Sequence, residues 1–317
     1  MKLYLILFED DGFDDLVISS PYAATCDDQC GLVTFLFSKN TKYSSIIDVE
    51  SLDWSLYGSM SYEWFGFSVK TKLGLIAVGA PQSRICAESN CQTSDDDIQS
   101  IGRVYIYKYP IKIPLIIYTG KNEFDQFGYD FDLSKQTNYS VIAITSLTHV
   151  SSLNRDSSLV LNRAGIVELY EININKNQSS SLISTLKSDR ELSEFGNKVK
   201  FFATNKDDYE DLYISAQMRS ESILLLDMVQ NGIFFKFKGG IYLPTGDLTD
   251  DCPSDDYTPC PDRHAEMIIR PYEKQSRFGS NFELVYSDKL NLTQWVVSSI
   301  HSSGIENSRL SGKISLF

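Results

Sequence analysis

Trp64-Phe65-Gly66-Phe67, Gln126-Phe127-Gly128-Tyr129, Glu194-Phe195-Gly196-Asn197 and Arg277-Phe278-Gly279-Ser280 are four versions of one phrase. Each is a phenylalanine-glycine pair that opens a short apolar segment. The glycines stand 62, 68 and 83 residues apart. Self-similarity at a near-constant spacing marks a repeat architecture. A repeat unit is scaffold first, so chemistry is sought in the loops between units.

The segments after each pair sharpen the pattern. Leu75-Ile76-Ala77-Val78-Gly79-Ala80-Pro81 leads through a loop to Gly102-Arg103-Val104-Tyr105-Ile106-Tyr107. Val141-Ile142-Ala143-Ile144-Thr145-Ser146 leads to Ala164-Gly165-Ile166-Val167-Glu168-Leu169-Tyr170. The later units carry Asp211-Leu212-Tyr213-Ile214-Ser215-Ala216, and Trp295-Val296-Val297-Ser298-Ser299 followed by Leu310-Ser311-Gly312-Lys313-Ile314. The chain opens inside a unit, with Asp15-Leu16-Val17-Ile18-Ser19-Ser20-Pro21 and then Gly31-Leu32-Val33-Thr34-Phe35. Each unit therefore predicts about four short strands rich in Val, Ile, Tyr and Phe, bounded by Gly, Pro and Asp. Four-stranded units at this spacing are blades of a β-propeller. The glycine suits a position of positive φ or close backbone approach, and the aromatic beside it can pack between blades. The expected fold is an all-β propeller. Residues 1–60 form a partial first blade with a doubtful start over 1–8, and further blades span 61–120, 121–190, 191–272 and 273–317.

The order Phe-Gly, strand, Gly-Ala-Pro, loop, Gly-x-Val-Tyr resembles the FG-GAP repeat of integrin α-chain propellers. Three stretches are similar to one enzyme family that carries such repeats, the glycosylphosphatidylinositol-specific phospholipases D. They are Asp15 to Ala23, Asp53-Trp54 with Trp64 to Ser68, and Gly246-Asp247-Leu248-Thr249 with Cys252, Thr258-Pro259-Cys260-Pro261, Ser276 to Ser280 and Leu310-Ser311-Gly312. The resemblance runs from about Asp10 to the end and corresponds to the carboxy-terminal half of that family. It implies a propeller that closes with seven blades, of which about five are present, and a helical amino-terminal catalytic domain with a zinc cluster of His and Asp that precedes this chain. That domain, and anchored proteins or their lipid, are the partners so implied.

Composition fits an extracellular β-protein. The 317 residues suit one large repeat domain, and the 18 Tyr and 18 Phe suit interlocking sheets. No helical period is sustained. A net charge of −13 argues against nucleic acid or an anionic membrane surface as an electrostatic partner. Runs such as Asp95-Asp96-Asp97 read as solvated loop charge. The six cysteines form three local pairs, Cys26 with Cys30, Cys86 with Cys91, and Cys252 with Cys260. Local disulfides in an oxidising compartment are the expectation; a zinc site would need a second pair or a histidine close by. Sequons at Asn138, Asn177 and Asn291 point to the same secreted setting.

The first residues, Met1-Lys2-Leu3-Tyr4-Leu5-Ile6-Leu7-Phe8, imitate a signal peptide but run into Glu9-Asp10-Asp11 without a cleavage site. The expectation is a fragment or a shortened gene. No stretch has the length of a transmembrane helix.

FG-GAP proteins often carry D-x-D-x-D-G-x-x-D calcium loops, in which hard oxygen ligands alternate around the ion. Two stretches partly match. In the first, Glu9, Asp11 and Asp15 would supply carboxylates and Phe13 a carbonyl, with Gly12 at the turn. In the second, Asn205, Asp207 and Asp211 would ligate, with Tyr209 by its carbonyl. Leu7 and Ala203 stand at the leading acidic positions, so each loop is short of a ligand. The competing reading is an Asp-rich turn held by Asx hydrogen bonds. The segment after Phe65-Gly66 offers only Lys70-Thr71-Lys72 as its turn.

Catalytic signatures do not appear. His149, His264 and His301 are scattered, and neither a G-x-S-x-G elbow nor a phosphate-cradling loop occurs. Two function classes follow. The chain is the non-catalytic propeller portion of a glycosylphosphatidylinositol phospholipase D, or it is a stand-alone adhesion module like an integrin head.

Overall fold

A computed structural model describes residues 2–6, 15–37, 52, 54–85, 100–135, 140–152, 160–172, 181–188, 190–203, 210–219, 233–237, 246–247, 265–269, 277–287, 292–299 and 312–316. The described residues are strands, turns and loops, without a helix. They form two compact units: Met1–Tyr129 with Ile174–Gln178, and Asp130–Asn173 with Ser179–Phe317.

The first unit holds two four-stranded antiparallel sheets. One runs in chain order through β1 (Lys2–Ile6), β2 (Asp15–Ser20), β3 (Leu32–Leu36) and β4 (Trp54–Tyr57). The other runs through β5 (Ser68–Lys72), β6 (Leu75–Ala80), β7 (Arg103–Lys108) and β8 (Ile111–Thr119). Lys2–Ile6 pairs with β2 over its whole length and makes the fourth strand of this sheet. Lys70, Thr71 and Lys72 lie inside β5, and the turn that follows is Leu73-Gly74, both at positive φ.

Three further sheets follow. The third contains β9 (Phe127–Lys135), β10 (Ser140–Ser146), β13 (Ile166–Ile172) and β14 (Leu182–Lys187), with the short pair β11 (Ser151–Ser152) and β12 (Val160–Leu161) beside it in sequence. The fourth contains β15 (Phe195–Phe202), β16 (Asp211–Ala216), β17 (Ile233–Phe237) and β19 (Met267–Ile269). The fifth contains β20 (Phe278–Ser287), β21 (Leu292–Ser299) and β22 (Lys313–Leu316). One strand departs from the meander: β18 (Gly246–Asp247) pairs in parallel with Ser184 and Thr185 of β14. Five meandering sheets of this size are the blades of a β-propeller.

Burial explains the sequence pattern. The second strands β6, β10 and β16 are buried along almost their whole length, so they read as unbroken apolar runs. They are sandwiched between partner strands and covered on both faces. One core joins Val17, Val33 and Phe35 of the first sheet to Ile76, Val78 and Tyr105 of the second. Another joins Val141, Val167 and Leu186 of the third sheet to Phe201, Leu212 and Phe235 of the fourth. A third joins Tyr213 to Phe278, Phe282 and Val297 of the fifth. Each aromatic so buried contributes on the order of 2–3 kcal/mol of apolar transfer.

Candidate functional site

The Phe-Gly pair is the joint between consecutive blades. Gly31 of the first blade forms a parallel bridge with Phe65, and Gly102 of the second does so with Phe127. The amides of Phe65, Phe127 and Phe195 donate to the carbonyls of Cys30, Ile101 and Ala164, at 3.0, 3.4 and 3.1 Å. Approach is closest at the glycines. A Cβ on Gly31, Gly102 or Gly165 would lie 2.1, 2.1 or 2.2 Å from the carbonyl oxygen of Phe65, Phe127 or Phe195. The phenylalanine rings behind these joints are at most 1 % exposed. The turn into each joint is left-handed at alternate residues: Tyr62, Trp64 and Gly66; Phe124, Gln126 and Gly128; Leu192, Glu194 and Gly196.

A buried polar residue braces each of these turns. Glu63, 1 % exposed, accepts the amides of Ser59 and Met60 and the Tyr105 hydroxyl. Burial pushes the Glu63 carboxyl above its ordinary range, against the lowering pull of those hydrogen bonds. Tyr105 is itself pushed up to about 12, first by burial and then by the Glu63 charge. Asp125 takes the equivalent place in the next turn and accepts from Asn122 at 2.8 Å. Ser193 takes it in the third, donating to the Ala164 carbonyl.

The first strand of a blade is an edge, and its backbone needs partners. On β15 the amides of Val199 and Phe201 donate to the carboxylates of Asp130 and Asp132, at 2.9 and 2.8 Å. Lys198 pairs with Asp130 at 3.3 Å, and Lys200 pairs with Glu283 of β20. These polar rungs tie the third blade to the fourth and the fourth to the fifth, and they carry no sequence motif.

The two candidate calcium loops differ in what surrounds their last carboxylate. Glu9, Asp11 and Phe13 lie outside the described residues, as do Asn205, Asp207 and Tyr209. Asp15 and Asp211 begin β2 and β16 in equivalent positions, and both are fully buried. Asp211 faces a cation that belongs to the chain. The Lys236 ammonium lies 3.0 Å from its Oδ2 and 2.7 Å from Glu266 Oε2. Burial pulls that ammonium down, but the Glu266 and Asp211 carboxylates outweigh it, and its pKa stands above the ordinary lysine value. In the first blade the same register position holds Phe35, opposite Val17 as Lys236 is opposite Tyr213. The two loops thus differ in the residue that faces this register position, an aromatic ring in the first blade and an ammonium in the fourth.

Among the described residues no three of His, Cys, Asp and Glu converge as metal ligands would. His149 contributes its backbone to the third joint, with the Ala164 amide donating to its carbonyl at 3.0 Å. Cys26 and Cys30 form a disulfide with a Cα–Cα distance of 5.9 Å. Cys86, Cys91, Cys252, Cys260, Asn138, Asn177, Asn291, His264 and His301 lie outside the described residues. Sequence reasoning missed Glu63, which braces its own turn and reaches Tyr105 of β7, and Lys236, which pairs with Asp211 of the neighbouring strand and with Glu266.

One surface of the first unit is aromatic. Tyr22 meets Trp64 edge-on at 5.3 Å between ring centroids, Trp64 stacks on Phe67 at 6.0 Å, and Phe67 meets Tyr129 at 5.0 Å. The Trp64 indole donates to Gln29 Oε1 at 2.9 Å. Beside the row, the Tyr62 hydroxyl donates to Asp28 and the Ser61 hydroxyl to Asp27.

No family profile matches the chain. Curated proteins do. The chain is 29 % identical to the phosphatidylinositol-glycan-specific phospholipase D of Mus musculus over 326 residues, and 29 % identical to that of Rattus norvegicus over 330. It is 26 % identical to the Homo sapiens protein of the same name over 325 residues. In each case 97 % of this chain is covered, and the chain spans 37 % of the relative's length.

Proposed function

We propose that the chain is the propeller portion of a secreted glycosylphosphatidylinositol-specific phospholipase D and is itself non-catalytic. The observation that carries this is similarity along 97 % of the chain to proteins of that name, matched to little more than a third of their length. Phosphodiester hydrolysis asks for metal ions or strong electrophiles together with a nucleophile. In this reading a zinc cluster outside the chain supplies that chemistry at the inositol–phosphate linkage, releasing anchored proteins. The blades contribute a rigid body that supports the catalytic region and presents loops toward anchored substrates.

Calcium belongs to the proposal at the first loop, with Glu9, Asp11, the Phe13 carbonyl and Asp15 as ligands. At the second loop the Lys236 ammonium supplies the positive charge next to Asp211. An oxidising compartment is supported by the Cys26–Cys30 disulfide. Glycans at Asn138, Asn177 and Asn291 and the two further cysteine pairs complete the extracellular reading. The integrin-like adhesion module is less favoured, because the matched relatives carry a phospholipase name.

The test is an assay of anchored-protein release by the purified chain with zinc present. The expected result is no release above buffer. Zinc-dependent release would overturn the non-catalytic assignment.

A further inference from the structure

The aromatic row of the first unit is not demanded by the repeat. Trp64 stands at φ +57, and its counterparts before the other Phe-Gly pairs are Gln126, Glu194 and Arg277 at φ +55, +49 and +49. Phe67 and Tyr129 have Asn197 and Ser280 as counterparts, and Tyr22 has Gln82 one blade on. Polar residues therefore satisfy the same backbone elsewhere in the molecule. At the third joint Arg163, which stands two residues before Gly165 as Gln29 stands before Gly31, binds Glu194 in a polar contact. At the first, Trp64 bonds Gln29 and meets Tyr22. The scaffold's own copies act as a control, and the aromatic choice needs another cause.

The row is continuous across three blades and reaches solvent. Tyr22 is 55 % exposed and Tyr62 52 % exposed, while Trp64, Phe67 and Tyr129 are half-buried. The Cys26–Cys30 disulfide lies in the loop that carries Tyr22, Asp27, Asp28 and Gln29. Asp27 and Asp28 are exposed beside the rings, and each carboxylate takes one described hydroxyl donor, which leaves acceptor capacity. Half-exposed rings offer flat apolar faces, and neighbouring carboxylates accept from hydroxyls. A pyranose has the complementary surface: one face of C–H groups and a rim of hydroxyl donors. Its charge must be neutral or positive, given two local carboxylates and a chain at −13.

We propose that this row, Tyr22, Trp64, Phe67 and Tyr129 with Asp27 and Asp28, is a saccharide platform that takes the glycan of a phosphatidylinositol-glycan. The identity of the sugar rests on the phospholipase reading above, and the matched relatives are named for such a substrate. The platform holds the glycan by ring stacking and hydroxyl-to-carboxylate hydrogen bonds, and it takes no part in bond cleavage.

The probe is the glycan of an anchored protein, freed of lipid and phosphate, observed by saturation-transfer NMR with the purified full chain. Wild type is expected to transfer saturation to the sugar C–H protons, with a Kd of about 1 mM or tighter. Trp64→Gln installs the residue that the next blade already tolerates at this φ, and it should weaken binding at least about tenfold. Tyr22→Ser, on an exposed side chain away from the left-handed turn, should weaken it in the same direction and serves if Trp64→Gln does not fold. No transfer with wild type, or equal transfer with both variants, overturns the platform. The phospholipase reading fails separately: a transcript that joins a signal peptide directly to the first blade removes that reading, whereas an absent saccharide signal removes only the platform.

Discussion

A Cβ built on Gly102 would lie 2.1 Å from the carbonyl oxygen of Phe127. The same relationship links Gly31 to Phe65 and Gly165 to Phe195. The two short motifs of the repeat, Phe-Gly and Gly-x-Val, are thus the two halves of one contact, made between successive blades.

Gly102→Ala is therefore expected to destabilise the chain strongly, by about 3–4 kcal/mol, since a left-handed alanine and a backbone clash add together. Gly74→Ala is the contrast. Gly74 also has a positive φ, +68, but nothing lies within 4 Å of its Cβ position, so the cost should be about 1–2 kcal/mol. Urea denaturation of both variants measures the difference.

Glu63 gives a pH dependence of known sign. Its folded pKa is raised, so burial disfavours the ionised form. Its contribution to stability is full below the ordinary glutamate pKa of about 4.3 and is lost as pH rises through the raised folded value. Glu63→Gln should flatten that decline, with denaturation midpoints that vary less between pH 4 and 7 than those of wild type. An unchanged slope would show that Glu63 does not carry it.

Lys236→Ile leaves the Asp211 carboxylate buried without its ammonium and should cost about 3–5 kcal/mol. The second blade suggests the repair, because Leu75 and Ile106 stand where Asp211 and Lys236 stand. Asp211→Leu combined with Lys236→Ile should recover most of the loss, measured by thermal unfolding.

Calcium at the first loop should stabilise the chain by about 2.7 kcal/mol at a hundredfold excess over its Kd. Asp15→Asn should abolish that shift while Asp211→Asn leaves its size unchanged. Calorimetric titration and thermal unfolding with and without Ca²⁺ check both.

Much of this was legible because it is local. Strands β6, β10 and β16 announced themselves as apolar runs, and the positive φ at each Phe-Gly glycine follows from the residue type. What joins blades was not legible. Gly165 and Phe195 meet across a joint, Asp130 and Asp132 are needed by amides of another strand, and Lys236 reaches Asp211 from the next strand of its sheet. A sequence pattern records which face of a strand is apolar, and it does not record which distant edge that strand must satisfy.

Whether these blades belong to a longer phospholipase, as proposed, is decided by sequencing the transcript on the 5′ side of the Met1 codon. The expected outcome is a reading frame that continues upstream into a region of helical pattern with clustered His and Asp. A signal peptide that leads straight into the blades would remove the phospholipase reading.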